Sequence, residues 1–361
     1  MDLNPSDEQR LLRESVDRFI NETYDSDHRR RSADDPLGFS PQIWKQFAEL
    51  GWLALPIEEA CGGLGAGAIE TGILMEAFGR GLVAEPYLAT VVIGAGLIAE
   101  CGSDAQKQAT LPKVADGSLL LAFAHSERAA RFDLAYVETT AKKTPDGWRL
   151  DGHKTAVLDG SAANQIIVSA RIASDDDTRG KLCLFLVPAG TAGIALRDFP
   201  RLGGGRACNL DLRDLRLPAD ALLGDGSDAL AKIECVVDRA LAALGSEAVG
   251  IMQTMLDRTL EYTKVRQQFG RPLSANQVIR HRLVALHRHV GEPVPDHLIG
   301  GQRPAELLAH FGIFKRPVEH GLHDADGFRA QCCQRAVDDR FYFRKRIAAV
   351  SKQGVGGKAN A

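Results

Sequence analysis

The apolar positions of this chain change their period twice. Leu12, Val16 and Phe19 fall three and four residues apart, the spacing of one helix face. They follow Ser6-Asp7-Glu8-Gln9, in which the serine hydroxyl can accept from an orphan amide while Gln9 reaches back, so the pattern predicts a helix starting there. Helical spacing recurs around Trp44, Phe47 and Leu50, and around Ile73, Met75, Glu76 and Phe78, with glycine-rich breaks between. From Leu119 onward the texture shifts to short apolar or alternating runs at 119–124, 148–158, 165–172, 181–188 and 209–218. Asp146-Gly147, Asp159-Gly160 and Gly203-Gly204-Gly205 separate them, and such runs predict antiparallel strands. In the last run Leu210, Leu212, Leu215 and Leu217 alternate on either side of Arg213-Asp214, which predicts one buried face with a bulge or kink at the pair. Near Ser227 the helical rhythm returns, carried by Leu241, Leu244, Ala248, Ile251 and Met255.

The expected fold class is therefore α+β, with an N-terminal α-helical domain over residues 1–118, a middle β-barrel or sandwich over 119–226, and the start of a C-terminal helical domain over 227–284. Helix, strand, helix as an order fits more than one fold. After Val284 the pattern breaks. Pro293 and Pro295 interrupt any helix there, six of the ten histidines fall beyond Val284, and apolar periodicity is lost. The atypical tail, 285–361, is expected to be a replaced terminus or the product of a shifted reading frame, with a divergent but folded terminus as the alternative.

Composition narrows the classes. A chain of 361 residues with 45% hydrophobic content can build a sizeable core in several layers. A net charge of -3 and a pI near 6.4 provide no basic field for nucleic acid, although the total conceals any local basic groove. No apolar run approaches the ~18 residues of a membrane span, and the polar Met1-Asp2-Leu3-Asn4-Pro5-Ser6 does not read as a signal peptide, so a cytoplasmic protein without membrane or nucleic-acid partners is expected. The seven cysteines lack paired metal-site spacing and are expected to be reduced thiols. His281, His287 and His289 have no acidic or thiol partner at helical spacing, so no metal is expected.

The stretch richest in chemistry is Arg266-Gln267-Gln268-Phe269-Gly270, followed by Gln277. A guanidinium binds pyrophosphate in bidentate fashion, an amide donates and accepts, and an aromatic ring packs on a flat cofactor or ribose surface. The plain alternative is a helix that ends in polar residues before a capping glycine. Gly63-x-Gly65-x-x-Ala68 fits a dinucleotide fingerprint by letter. However, Glu58-Glu59-Ala60-Cys61 separates its glycines from the apolar 52–56 run, where the motif needs an immediate turn.

Taken in order, Glu8-Gln9-Arg10, Gly51 through Pro56, Cys61 through Gly65, Glu76 through Tyr87, Gly152-His153-Lys154, Val236-Val237-Asp238-Arg239 and Arg266 through Gln277 carry a resemblance. Residues 1–284 resemble the acyl-CoA dehydrogenase family, most of all its pimeloyl-CoA dehydrogenase small-subunit type. The resemblance implies an FAD-dependent enzyme that introduces an α,β double bond into an acyl-CoA thioester and passes electrons to an electron-transfer flavoprotein. It implies a homo- or hetero-oligomer, because Arg266, Gln268, Phe269 and Gln277 would contact FAD bound mainly by a neighbouring subunit. Phe123, His125 and Ser126 match the strand that meets the flavin ring, whereas Ala156 and Leu158 stand where many relatives place a Trp and a Thr. Asp238 matches an acidic residue near the thioester-bearing arm, with Arg239 beside it in place of a partner three residues on. The carboxylate base of the family falls either in the unmatched tail or on Ala240, so the catalytic residue is unassigned. The rival expectation is a non-catalytic partner subunit or an inactive copy, with a companion chain supplying the base.

Overall fold

The computed structural model describes residues 5–174 and 177–291. The first helix, α1 (Asp7–Thr23), begins with the anticipated reciprocal cap: Gln9 N donates to Ser6 Oγ at 3.2 Å and Ser6 N donates to Gln9 Oε1 at 3.0 Å. It is followed by α2 (Ser26–Asp34), α3 (Pro41–Glu49), α4 (Ala68–Gly81), a π-helical stretch over Leu88–Ala95, α5 (Gly96–Cys101) and α6 (Asp104–Ala115). Phe47 stacks on Phe78 at 5.0 Å between ring centres, and Trp52 meets Phe47 at 5.1 Å, so the apolar faces read from the sequence do converge. Across α1 and α4 the Arg13 guanidinium forks onto Glu76 with two 3.0 Å bonds. Residues 52–56 form turns and no strand, which removes the geometry a dinucleotide fingerprint would need.

Seven strands follow: β1 (Leu121–Ala124), β2 (Thr140–Thr144), β3 (Gly147–Leu158), β4 (Gln165–Ser174), β5 (Asp177–Pro188), β6 (Ile194–Pro200) and β7 (Arg206–Leu217). They make one curled sheet in the order β1-β4-β2-β3-β7-β6, with β5 on the other side of β4. Two pairings correct the expectation of antiparallel strands throughout, because both β1 and β2 run parallel to β4. Hydrophobic runs encode which residues are buried but not strand direction, and here the β2–β3 hairpin supplies the crossover that parallel pairing requires. The polar strands β2 and β6 carry too few buried side chains to announce themselves. The anticipated bulge is present. Leu150 pairs with Leu215 and Gly152 with Leu212, so two β3 steps oppose three in β7, with Arg213 and Asp214 exposed and all four leucines buried.

The chain then enters the long helix α7 (Ala229–Val265), a hairpin of β8 (Gln267–Gln268) and β9 (Arg271–Pro272), and α8 (Gln277–Gly291). The face of α7 differs from the one its large apolar residues predict. Ile233, Val236, Ala240, Ala243, Gly250 and Leu256 are buried, whereas Leu244 and Met255 are exposed. Backbone proximity explains the choice: a Cβ on Gly79 would lie 2.0 Å from the Glu247 carbonyl oxygen, and one on Gly250 would lie 1.9 Å from that of Glu76. Only small residues allow α4 and α7 to come so close, so the bulky stripe turns elsewhere. Of the tail, 285–291 continue α8, and the expectations for 292–361 lie outside the described residues. Among the described residues no helix is long and apolar enough to cross a membrane, and Cys61, Cys101, Cys183, Cys208 and Cys235 are free thiols.

Candidate functional site

The end of β1 is held by a buried polar network. Lys154 is fully enclosed, and its Nζ donates to Glu127 Oε1 at 2.7 Å, to Ser169 Oγ at 2.9 Å and to the His125 carbonyl at 3.2 Å. Glu127 also accepts from Glu138 N at 2.6 Å and from Thr139 N and Oγ1 at 3.1 and 2.7 Å. The His125 ring lies between Leu134 O (3.1 Å from Nε2) and Ser169 Oγ (3.0 Å from Nδ1). A carbonyl can only accept, so Nε2 carries the proton and Nδ1 accepts from the Ser169 hydroxyl. Burial, then the Lys154 charge, pushes the imidazole down to about 4, which keeps it neutral at physiological pH. Burial works against ionisation of Glu127, but Lys154 and the surrounding donors hold its carboxyl below the usual range. Burial also lowers Lys154, to about 8, so the pair is ionised at neutral pH.

This network decides what the predicted strand residues present. Phe123 is half-buried and stacks on His125 at 5.1 Å between ring centres. The His125 ring is consumed internally and Ser126 is exposed, its carbonyl tied to Thr155 N at 2.8 Å. Ala156 is also exposed, with φ of 53° and its N–H donated to Asn209 Oδ1 at 3.0 Å. Ser126 thus offers a hydroxyl beside a strand whose Ala156 carries nothing beyond a methyl group, a surface open to a flat ring.

The second group of predicted residues lies on and beside the β8–β9 hairpin, with Arg266 at the end of α7 and Gln277 at the start of α8. Gln268 pairs with Arg271 across the turn, and Phe269 and Gly270 at its tip have φ of 55° and 73°, both in the left-handed region that such a two-residue turn demands. Phe269 is 98% exposed. Arg266, Gln268 and Gln277 are exposed, and their side chains bond to nothing among the described residues. An exposed guanidinium and two exposed amides around a projecting turn suit the pyrophosphate and ribose oxygens of a dinucleotide held by another subunit, so the donor chemistry fits FAD.

Asp238 and Arg239 sit exposed on α7, and Arg239 Nη2 bonds Glu100 Oε1 on α5 at 2.7 Å. Ala240 is buried in the helical core.

Sequence reading missed a cavity of about 390 Å³. Its walls are Phe78 and Tyr87 from the α4 side, Leu244, Glu247 and Ile251 from α7, Leu158 and Asp159 from the end of β3, and Arg29 and Arg201 at its rim. Here the exposed part of the α7 stripe finds a role, since Leu244 and Ile251 face this space. Three carboxylates line it. Glu85 accepts from Tyr24 Oη at 2.7 Å and Ser40 N at 3.3 Å, and Asp159 lies 3.6 Å from Arg201. Burial pushes all three carboxyls, Glu85, Asp159 and Glu247, above the usual range. A lone glutamate within the small-residue run Ala242–Val249 was the available signal. Another hollow, of about 420 Å³, opens to solvent between α6 and residues 219–224, where Gln106 is already bonded to the Asp220 and Leu222 carbonyls.

The models of the acyl-CoA dehydrogenase N-terminal, middle and C-terminal domains match residues 6–118, 122–215 and 236–290. The chain is 30% identical over 290 residues to a probable acyl-CoA dehydrogenase, YngJ, of Bacillus subtilis, spanning 78% of this chain and 75% of that protein. Among solved structures it is similar to the ChsE4-ChsE5 complex from Mycobacterium tuberculosis (27% identity, TM-score 0.70, 80% of this chain and 76% of that one). It is also similar to PigA with FAD and proline (26%, TM-score 0.73, 80% and 77%). The chain belongs to the acyl-CoA dehydrogenase family, whose members are FAD-dependent oxidoreductases.

Proposed function

We propose that this chain binds an acyl-CoA with its acyl group in the Leu158–Glu247 cavity and acts as one subunit of an oligomer that oxidises the Cα–Cβ bond. The carrying observation is that cavity, which lies beside the α4–α7 contact and is lined in part by Leu158, the position where many relatives place a residue against the flavin. Bound FAD supplies the hydride acceptor. Ser126 offers its hydroxyl to the ring, while Phe123 and His125 support the strand beneath it. From a neighbouring subunit, Arg266 clamps the pyrophosphate, Gln268 and Gln277 bond the ribitol or ribose, and Phe269 covers an apolar face. Asp238 lies toward the thioester-bearing arm, with Arg239 positioned beside it through Glu100. The apolar walls exclude water and align the acyl chain.

Ala240 has no group that accepts the α-proton, so the carboxylate comes from outside the described residues or from a companion chain. Electron-transfer flavoprotein is the fitting electron acceptor, and free thiols agree with a cytoplasmic setting. The working domain map remains 1–118, 119–226 and 227–284. The test is the visible spectrum of the purified protein, followed by anaerobic addition of acyl-CoA thioesters. A flavin band that bleaches is expected. Protein that stays colourless with added FAD refutes the proposal and leaves the inactive-copy reading.

A further inference from the structure

Two guanidiniums meet at the rim of the cavity with almost no acceptors of their own. The tip of the β6–β7 hairpin, residues 201–205, closes on itself, with Arg201 N donating to Gly205 O at 3.1 Å and Gly204 N to Arg201 O at 3.2 Å. Gly204 and Gly205 have φ of 96° and 71°, a conformation that favours glycine. A Cβ on Gly205 would lie 2.2 Å from Arg201 Nη2, so its absence lets the guanidinium fold back over its own turn, where Arg201 lines the cavity. From the other side Arg29, on α2, reaches the same tip and donates from Nη2 to Gly203 O at 3.0 Å. That is the one hydrogen bond the two guanidiniums make among the described residues. Arg201 Nη2 stands 3.6 Å from Asp159, an ion pair beyond hydrogen-bond distance, and Glu85 is already bonded to Tyr24 and Ser40. The Nε atoms of Arg29 and Arg201 are both buried and unpartnered. A buried donor without an acceptor is costly and rare in folded proteins.

We propose that Arg29 and Arg201 form a specificity subsite that takes a hydrogen-bond-accepting oxygen of the acyl group, a ketone or a carboxylate. This rests on the acyl-thioester reading above. A guanidinium offers donors only. A plain alkyl chain leaves those N–H groups unsatisfied, and an ammonium brings further donors to a rim that already has a surplus. A ketone supplies the acceptor without charge. A carboxylate adds attraction to both guanidiniums and repulsion from the acidic side chains of the same cavity, so comparing the two oxygens reads that balance.

The test measures Kd by calorimetry on the FAD-loaded protein, using CoA thioesters whose acyl groups end in methyl, methyl ketone, carboxylate or ammonium across a range of matched chain lengths. At the best length, wild type is expected to bind the ketone or the carboxylate thioester about tenfold or more tighter than the methyl one, the size of a charge-assisted hydrogen bond. A preference for the ketone alone assigns the subsite to neutral oxygen, and a preference for the carboxylate assigns it to anions. The double variant Arg29→Met, Arg201→Met should bring the oxygenated thioesters to the methyl value. Gly205→Ala keeps both charges, and its methyl group displaces the Arg201 guanidinium, so it should reduce the preference as well. Equal Kd for methyl, ketone and carboxylate at every length, tightest binding of the ammonium, or a preference that survives in the double variant overturns the proposal. An equal loss for all four thioesters in both variants also overturns it, by making the hairpin tip a support for the pocket. If thioesters bind and none bleaches the flavin, the dehydrogenase reading fails while the Kd pattern still decides the subsite. If no thioester binds, the acyl-thioester reading falls and the subsite with it.

Discussion

Replacing Lys154 by Met removes the centre of the network beneath β1 at nearly constant volume. Three bonds disappear with Nζ, and Glu127, about as enclosed as Lys154, keeps its charge without a counter-ion. Breaking a buried pair from one side costs about 3–5 kcal/mol. Three donors to Glu127 remain, from Glu138 and Thr139, which places the expected loss at the lower end. Hydrogen exchange at the Glu138, Thr139 and Thr155 amides reads this opening directly, since the first two bond Glu127 and the third bonds Ser126. At about 1.4 kcal/mol per tenfold, exchange in Lys154→Met should accelerate roughly a hundredfold. The His125 imidazole should rise from about 4, because Lys154 is one of the charges that lowers it. Adding Glu127→Gln should restore much of the protection by discharging the stranded carboxylate. Exchange within threefold of wild type, or no recovery in the double variant, would refute the account of the network.

Three further outcomes are expected. His125 has its pKa lowered to about 4 from the ordinary 6.5, so the unfolded chain binds the extra proton between those values; stability contributed by the neutral ring is present above pH 6.5 and lost toward pH 4, on the order of 3 kcal/mol in all. Urea titrations across this window should show the slope in wild type and not in His125→Gln; a flat wild-type profile would contradict it. Gly250→Ala places a methyl 1.9 Å from the Glu76 carbonyl oxygen, so α4 and α7 must separate, at about 1–3 kcal/mol; a melting temperature equal to wild type would show that the helices are not in that contact. Arg266→Ala should lower FAD occupancy without changing the melting of the apoprotein, because the side chain is exposed and bonds to nothing among the described residues; stoichiometric flavin in the purified variant would remove Arg266 from the cofactor site.

Much of this protein was legible before any coordinates. The Ser6–Gln9 cap, the helical faces that carry Phe47 and Phe78, and the bulge at Arg213-Asp214 all follow from local rules, because capping, periodicity and pleat alternation act over a few residues and leave their mark in the spelling of the chain. The order of motifs from Glu8 to Gln277 carried the family. The parallel pairing of β1 and β2 with β4 was decided in three dimensions, since strand direction depends on the crossover. So was the face of α7, where the approach of two backbones at Gly79 and Gly250 outweighed the larger apolar side chains. The enclosure of Lys154, the withdrawal of His125 from the surface and the placement of the half-buried Glu247 at the cavity share one physical reason. Burial and partnership belong to pairs of residues far apart in sequence, and no single segment encodes which of its polar groups will be left without a partner.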